Sequence, residues 1–182
     1  MDKVSKTLCF NESGSQNTES VVRAVSEKID ETGIQTVIVA STTGKTAVQF
    51  AKALKSKAKL IAVSWKKISP ENMKTLKNLD VTICNFENYL PLHGAGKDSV
   101  RNTFYTLGQG MKVCVEVVLI AVDKGLIQPG HDVIAVGGTG GGSDTAAVIK
   151  TASTVDMLGP EIENRLEVRE IFAMPVKKKW WR

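Results

Sequence analysis

An α/β protein built on a mostly parallel sheet with helices on its faces is the fold class this sequence predicts, and three observations predict it. Short apolar runs rich in β-branched residues recur at residues 36–40, 59–63, 81–84 and 132–136, the pattern of strands buried on both faces. Between them lie segments with apolar residues at helical spacing, the alternation of β-α units. The last run, residues 166–173, alternates apolar and polar instead and reads as an antiparallel edge strand. With 182 residues the chain can hold one full hydrophobic core. Residues 1–176 are therefore expected to form a single domain, with 177–182 as a basic aromatic tail.

Residues 6–10 read as a short first strand, and turn material at 11–16 leads to a helix capped by Asn17 or Thr18. Glu19 falls in its first turn, where the helix dipole favours a carboxylate. Val21, Val22, Val25 and Ile29 form its buried face, and Gly33 closes it. After the second strand comes Ser41-Thr42-Thr43-Gly44-Lys45-Thr46, then a helical stretch at 47–54. This loop imitates a nucleoside-triphosphate loop at its end, but Val39 stands where the first glycine should, and no later strand ends in the aspartate such a site uses for magnesium. Its hydroxyls and amides can still bind a phosphate, with Lys45 as counter-charge. Helix capping accounts for the same residues.

Pro70 opens a helix running to Leu79, and the loop at 85–96 carries Tyr89, Pro91 and His93, the last either solvated or a ligand contact. Residues 99–127 are mostly helical, with Val100, Phe104, Leu107, Met111, Val115, Val118, Leu119 and Val122 on the apolar face. Gly108 and Gly110 interrupt that helix. The break marks close packing or a kink, or lets a ligand approach so that Gln109 presents its amide. Glu116, set among valines, needs a partner if it is buried.

The stretch around which the chain is expected to be organised begins with the strand at 132–136. Gly137, Gly138, Thr139, Gly140, Gly141 and Gly142 follow, then Ser143, Asp144 and Thr145. With Ser143 or Asp144 as cap, residues 145–149 read as the start of a helix. Strand, bare loop and helix start would together cradle an anion; a flexible connection is the plainer reading. The match to a dinucleotide fingerprint is imperfect, since Ser143 stands where a third glycine belongs. A phosphate site is better supported than a nicotinamide site. Residues 151–164 read as irregular.

Composition narrows the function classes. Of the formal charge of +5, Lys177, Lys178, Lys179 and Arg182 supply four, leaving +1 for residues 1–176. The body is nearly neutral, and no nucleic-acid partner is expected. Cys9, Cys84 and Cys114 are far apart in apolar runs, and are expected as buried reduced thiols. His93 and His131 are too scattered for a metal site. No apolar run approaches the roughly 20 residues of a membrane span, and the N-terminus has no secretory pattern, so the expected location is cytoplasmic. The tail is expected either to fray or to dock on an anionic surface.

Taken together, Asn17-Thr18, residues 40–44 with Thr46-Ala47, Phe104 with residues 108–110, Lys112-Val113 with Glu116, residues 137–140 with 144–146, and Arg169–Ile171 with Ala173–Pro175 resemble the C-terminal domain of pyruvate kinase. The likeness is closer to that domain's small stand-alone relatives in archaea and some bacteria, and it spans residues 6–176. It implies a three-layer α/β/α sandwich. It also implies no pyruvate kinase activity, because in that enzyme the reacting residues lie on a separate barrel domain. In allosteric pyruvate kinases the same two loops hold the phosphates of a sugar bisphosphate. Here the second loop lacks the tryptophan and arginine of that effector site. The stand-alone relatives bind flavin mononucleotide, which makes FMN the expected ligand and the chain a nucleotide-binding flavoprotein. Two other functions fit the same residues: a flavin-dependent oxidoreductase, or a regulatory interaction module. By analogy with the kinase, a homo-oligomer is expected.

Overall fold

The computed structural model describes residues 4–86, 90–94 and 96–179; Tyr89 and the tail residues Trp180, Trp181 and Arg182 lie outside them. Seven strands form one sheet: β1 (Leu8–Phe10), β2 (Thr36–Ala40), β3 (Lys59–Ser64), β4 (Thr82–Asn85), β5 (Asp132–Gly137), β6 (Thr145–Lys150) and β7 (Glu167–Pro175). Their order across the sheet is β1-β7-β6-β5-β2-β3-β4. Every neighbouring pair is parallel except those made by β6, which runs against both β5 and β7.

Among the described residues five α-helices cover the sheet: α1 (Thr18–Thr32), α2 (Lys45–Leu54), α3 (Pro70–Asn78), α4 (Asp98–Tyr105) and α5 (Gln109–Asp123). Alternate residues of each strand point to opposite faces, so the sheet feeds two cores. On one face Val37, Val39, Leu60, Ile134 and Val136 pack against α1, α2 and α3 through Val21, Val25, Phe50, Leu54 and Leu76. On the other, Ile38, Ile61, Val133, Ala135 and Ile149 pack against α5, with Val100 and Phe104 of α4 behind it. The architecture is the expected three-layer sandwich. Because α5 lies between sheet and α4, it is apolar nearly all round, as a buried helix should be. Gly33 closes α1 as expected, in the left-handed conformation (φ 73°) with its N–H bonded to the Ile29 carbonyl.

Three expectations are corrected. Residues 145–150 are not a helix but strand β6, paired antiparallel with β5 from Asp132↔Lys150 to Gly137↔Thr145. All six of its side chains are buried, and burial between α-layers overrides the helical preference of Ala146 and Ala147. Strand β7 is not at the edge, because β1 lies outside it. Yet among the described residues β1 pairs only with Ala173, Met174 and Pro175, so the earlier part of β7 has no ladder partner on its outer side, which explains its alternating pattern. Cys9 is exposed, whereas Cys84 and Cys114 are buried.

The cysteines differ chemically for the same reason. Burial pushes the Cys84 thiol above its usual range, against a small opposite pull from Lys124. Burial raises Cys114 far more, and the Asp144 carboxylate adds to it. Since only the thiolate attacks, a thiol-exchange reagent should modify one cysteine in the native protein and all three after denaturation. A Cys9→Ser variant should then show no fast-reacting thiol.

Candidate functional site

Strands β2 and β5 are parallel neighbours, with Val39 opposite Val136. The loops that follow them, residues 41–44 and 138–144, therefore leave the sheet at the same end, where open parallel sheets place ligands.

The first loop is held from below. Ser41 donates its N–H to Val63 O (2.9 Å), and its buried hydroxyl accepts from Ala47 N (3.1 Å). Asn72 Nδ2 donates to Thr43 O (2.9 Å). Gly44 turns the chain into α2 with φ 89°, and a Cβ there would stand 2.6 Å from Ile68 Cγ2. This turn brings the start of α2 to a wall formed by Ser41, Thr42, Thr43 and Thr46; Ala47 N is taken by Ser41 and Val48 N by Gly44 O (2.9 Å), which leaves the amides of Lys45 and Thr46.

The second loop is a hairpin between β5 and β6, so it has no helix start of its own. Its shape comes from Asp144, which is fully buried. One carboxylate oxygen accepts from Gly14 N (2.9 Å) and Thr139 N (3.1 Å), and the other from Thr145 Oγ1 (2.8 Å). Ser143 N donates to Thr18 Oγ1 (3.1 Å), which ties the hairpin to the start of α1. Helix α5 presses on the hairpin from the other side. A Cβ on Gly110 would meet Thr145 Oγ1 at 2.1 Å, and one on Gly137 would meet Gly110 O at 2.2 Å. The Gly108-Gln109-Gly110 break is thus a close-packing device.

Both loops border one cavity of about 1240 Å³. Of the residues expected at the site, Ser41, Thr42, Thr43 and Thr46 line it, as do Gly138, Gly140, Gly141 and Gly142. His93 and Gln109 line it too. Gly44, Lys45, Gly137, Thr139, Ser143, Asp144 and Thr145 are not among the lining residues. Lys45 points to solvent, and the others support the loops.

Sequence reasoning missed the opposite wall. Trp65 is half exposed beside the cavity, its Nε1 donating to Thr42 Oγ1 at 2.9 Å, and the Lys66 ammonium lies 4.2 Å over its ring. Arg101 and Tyr105 of α4 line the cavity, as do Lys112 and Glu116 of α5. The sequence carried one signal for the last pair: Lys112 and Glu116 are four apart on a helix. Glu116 Oε2 accepts from Lys112 Nζ at 2.7 Å, with both side chains buried. His93 Nε2 lies 3.3 Å from Glu116 Oε1, but out of line for a hydrogen bond. Burial pulls the His93 imidazole below its usual range; Lys112 and Arg101 add to this, and Glu116 opposes it without reversing it. His93 is accordingly neutral at pH 7.

The described part of the tail lies in contact with the body. Lys177 pairs with Glu12, and Gln109 N donates to Lys179 O (3.4 Å). Lys178 lies against Gly108.

The chain matches the family model described as "Pyruvate kinase, alpha/beta domain" over residues 19–150. Among solved structures, the crystal structure of O-ureido-L-serine synthase is similar over 59% of this chain and 38% of that one, at 13% identity and a TM-score of 0.33. The chain thus spans well under half the length of that protein, and the likeness carries no functional reading. No helix among the described residues is long and apolar enough to cross a membrane.

Proposed function

The chain belongs to the pyruvate kinase alpha/beta domain family, and from that premise we propose that it binds a phosphorylated small molecule, flavin mononucleotide, between its two strand-end loops. The observation that carries the reading is the shared cavity: a hydroxyl-lined loop at a helix N-terminus and a loop bare of side chains line the same space. The phosphate is assigned to the amides of Lys45 and Thr46 at the start of α2, with the hydroxyls of Thr43 and Thr46 and the backbone of Gly140 and Gly141. A helix start suits a dianion because its partial positive charge and free N–H groups converge there.

The residues present also fit a flat ring system. Val63, Phe86, Val117 and Ile120 supply an apolar wall, and Trp65 offers an aromatic face at the mouth. The volume exceeds the roughly 300–1,000 Å³ of ordinary small-ligand pockets, which suits a ligand with both a ring and a phosphorylated chain. A bound flavin would supply the redox chemistry; the residues of this chain bind and orient it.

The purified protein should be yellow, or should quench the fluorescence of added flavin mononucleotide to saturation. Riboflavin, which lacks the phosphate, should bind about tenfold or more weakly. A colourless protein with a flat titration would overturn the reading.

A further inference from the structure

Helix α5 turns one face to the cavity, and two residues on it leave an acceptor unused. Gln109 Oε1 and Glu116 Oε1 are buried without a hydrogen-bond partner. They stand seven residues apart, two turns or about 10 Å along the helix axis on one side. Glu116 is 5% exposed and lines the cavity. Its other oxygen is occupied by Lys112, which holds the carboxylate in one orientation. His93 Nε2 lies 3.3 Å from the unused oxygen and is itself unpartnered. A buried carboxylate oxygen without a donor is costly, so a ligand that brings a donor there binds more tightly than one that does not.

We propose that this row is a hydroxyl-reading subsite, in which Glu116 and Gln109 accept hydrogen bonds from the hydroxyl groups on the ligand's chain. The site then selects a phosphate ester with a hydroxylated chain over one with a bare chain. At the Glu116 oxygen itself a second phosphate or a carboxylate would meet like charge, so a hydroxyl is the group favoured there. His93 completes the subsite, its Nε2 standing where a hydroxyl bound to Glu116 can use it as a second partner. The inference rests on the reading that a flavin phosphate occupies the cavity, and it adds which part of that molecule is recognised.

The test compares flavin mononucleotide with a flavin whose phosphorylated side chain has the same length but no secondary hydroxyls. Wild-type protein should bind the hydroxylated compound about tenfold to a hundredfold more tightly, the range of a hydrogen bond to a charged group. Glu116→Gln should remove most of that preference, read as the ratio of the two affinities. Gln109→Met should give a smaller loss of the same kind, and it leaves the Lys112 pair intact should Glu116→Gln fail to fold. Equal affinity of wild-type protein for the two compounds would overturn the subsite and leave the flavin reading standing. Failure to bind either compound would overturn both.

Discussion

Gly137→Ala should destabilise the protein by on the order of 3 kcal/mol or more, with a melting temperature about 10 °C lower. The reason is steric and local. A Cβ on Gly137 would lie 2.2 Å from Gly110 O and 3.1 Å from Cys114 N, both backbone atoms of α5. Backbone cannot rotate aside as a side chain can, so α5 must lift off the sheet where its face is most buried. That displacement would open the contacts of Cys114, Val117 and Val118, all buried. Relief by inserting water is not available in an apolar layer. Gly141→Ala is the control: nothing lies within 4 Å of its Cβ, so thermal or urea unfolding should be nearly unchanged. If both variants melt like the wild type, the contact between α5 and the hairpin is looser than described.

That contrast divides the glycine-rich stretch by purpose. Gly137 is bare because a helix backbone crosses it. Gly138 is bare because a Cβ would meet Gly142 O at 2.4 Å inside the turn. Gly142 takes φ 63° and would strike Thr18 Oγ1 at 2.4 Å. Gly140 and Gly141 are exposed beside the cavity, whereas Gly138 and Gly142 line it half-buried.

The strands at 36–40, 59–64 and 132–137 were legible because burial on both faces leaves an unbroken apolar run, which few other structures produce. Helix α1 was legible from its spacing and its closing glycine. Residues 145–150 were misread because the local signals, a cap-forming Ser143-Asp144 followed by two alanines, describe a helix start equally well. What decides the matter is non-local: Gly142 is seated against α1, and α5 covers the strand's other side. The two loops were found because strand-end loops of small residues are recognisable in sequence. The opposite wall of Trp65, Arg101, Lys112 and Glu116 comes from three separate elements, and no spacing within one segment announces it. Asp144 was placed in the ligand set for its position, but its carboxylate is already satisfied by the protein.

Asp144 therefore provides the second large effect, and one that separates a supporting role from ligand binding. Asp144→Ala would strip partners from Gly14 N, Thr139 N and the Thr145 hydroxyl together. Each buried group left unpaired costs about 1–3 kcal/mol, so a loss of about 4 kcal/mol is expected, a large fraction of the roughly 5–15 kcal/mol that holds a domain folded. Asp144→Asn should be much milder, about 1–2 kcal/mol. Its carbonyl oxygen can still accept from both backbone amides, and its amide nitrogen can donate to Thr145 Oγ1. A carboxylate that touched the ligand would behave differently, since the asparagine variant would change affinity sharply while melting almost normally. The measurement is a pair of urea unfolding curves alongside a pair of flavin titrations. Loss of affinity should follow loss of stability, large in alanine and small in asparagine, because what Asp144 controls is the shape of the turn that carries Gly140 and Gly141. An asparagine variant that is fully stable and cannot bind would place the carboxylate in the site itself.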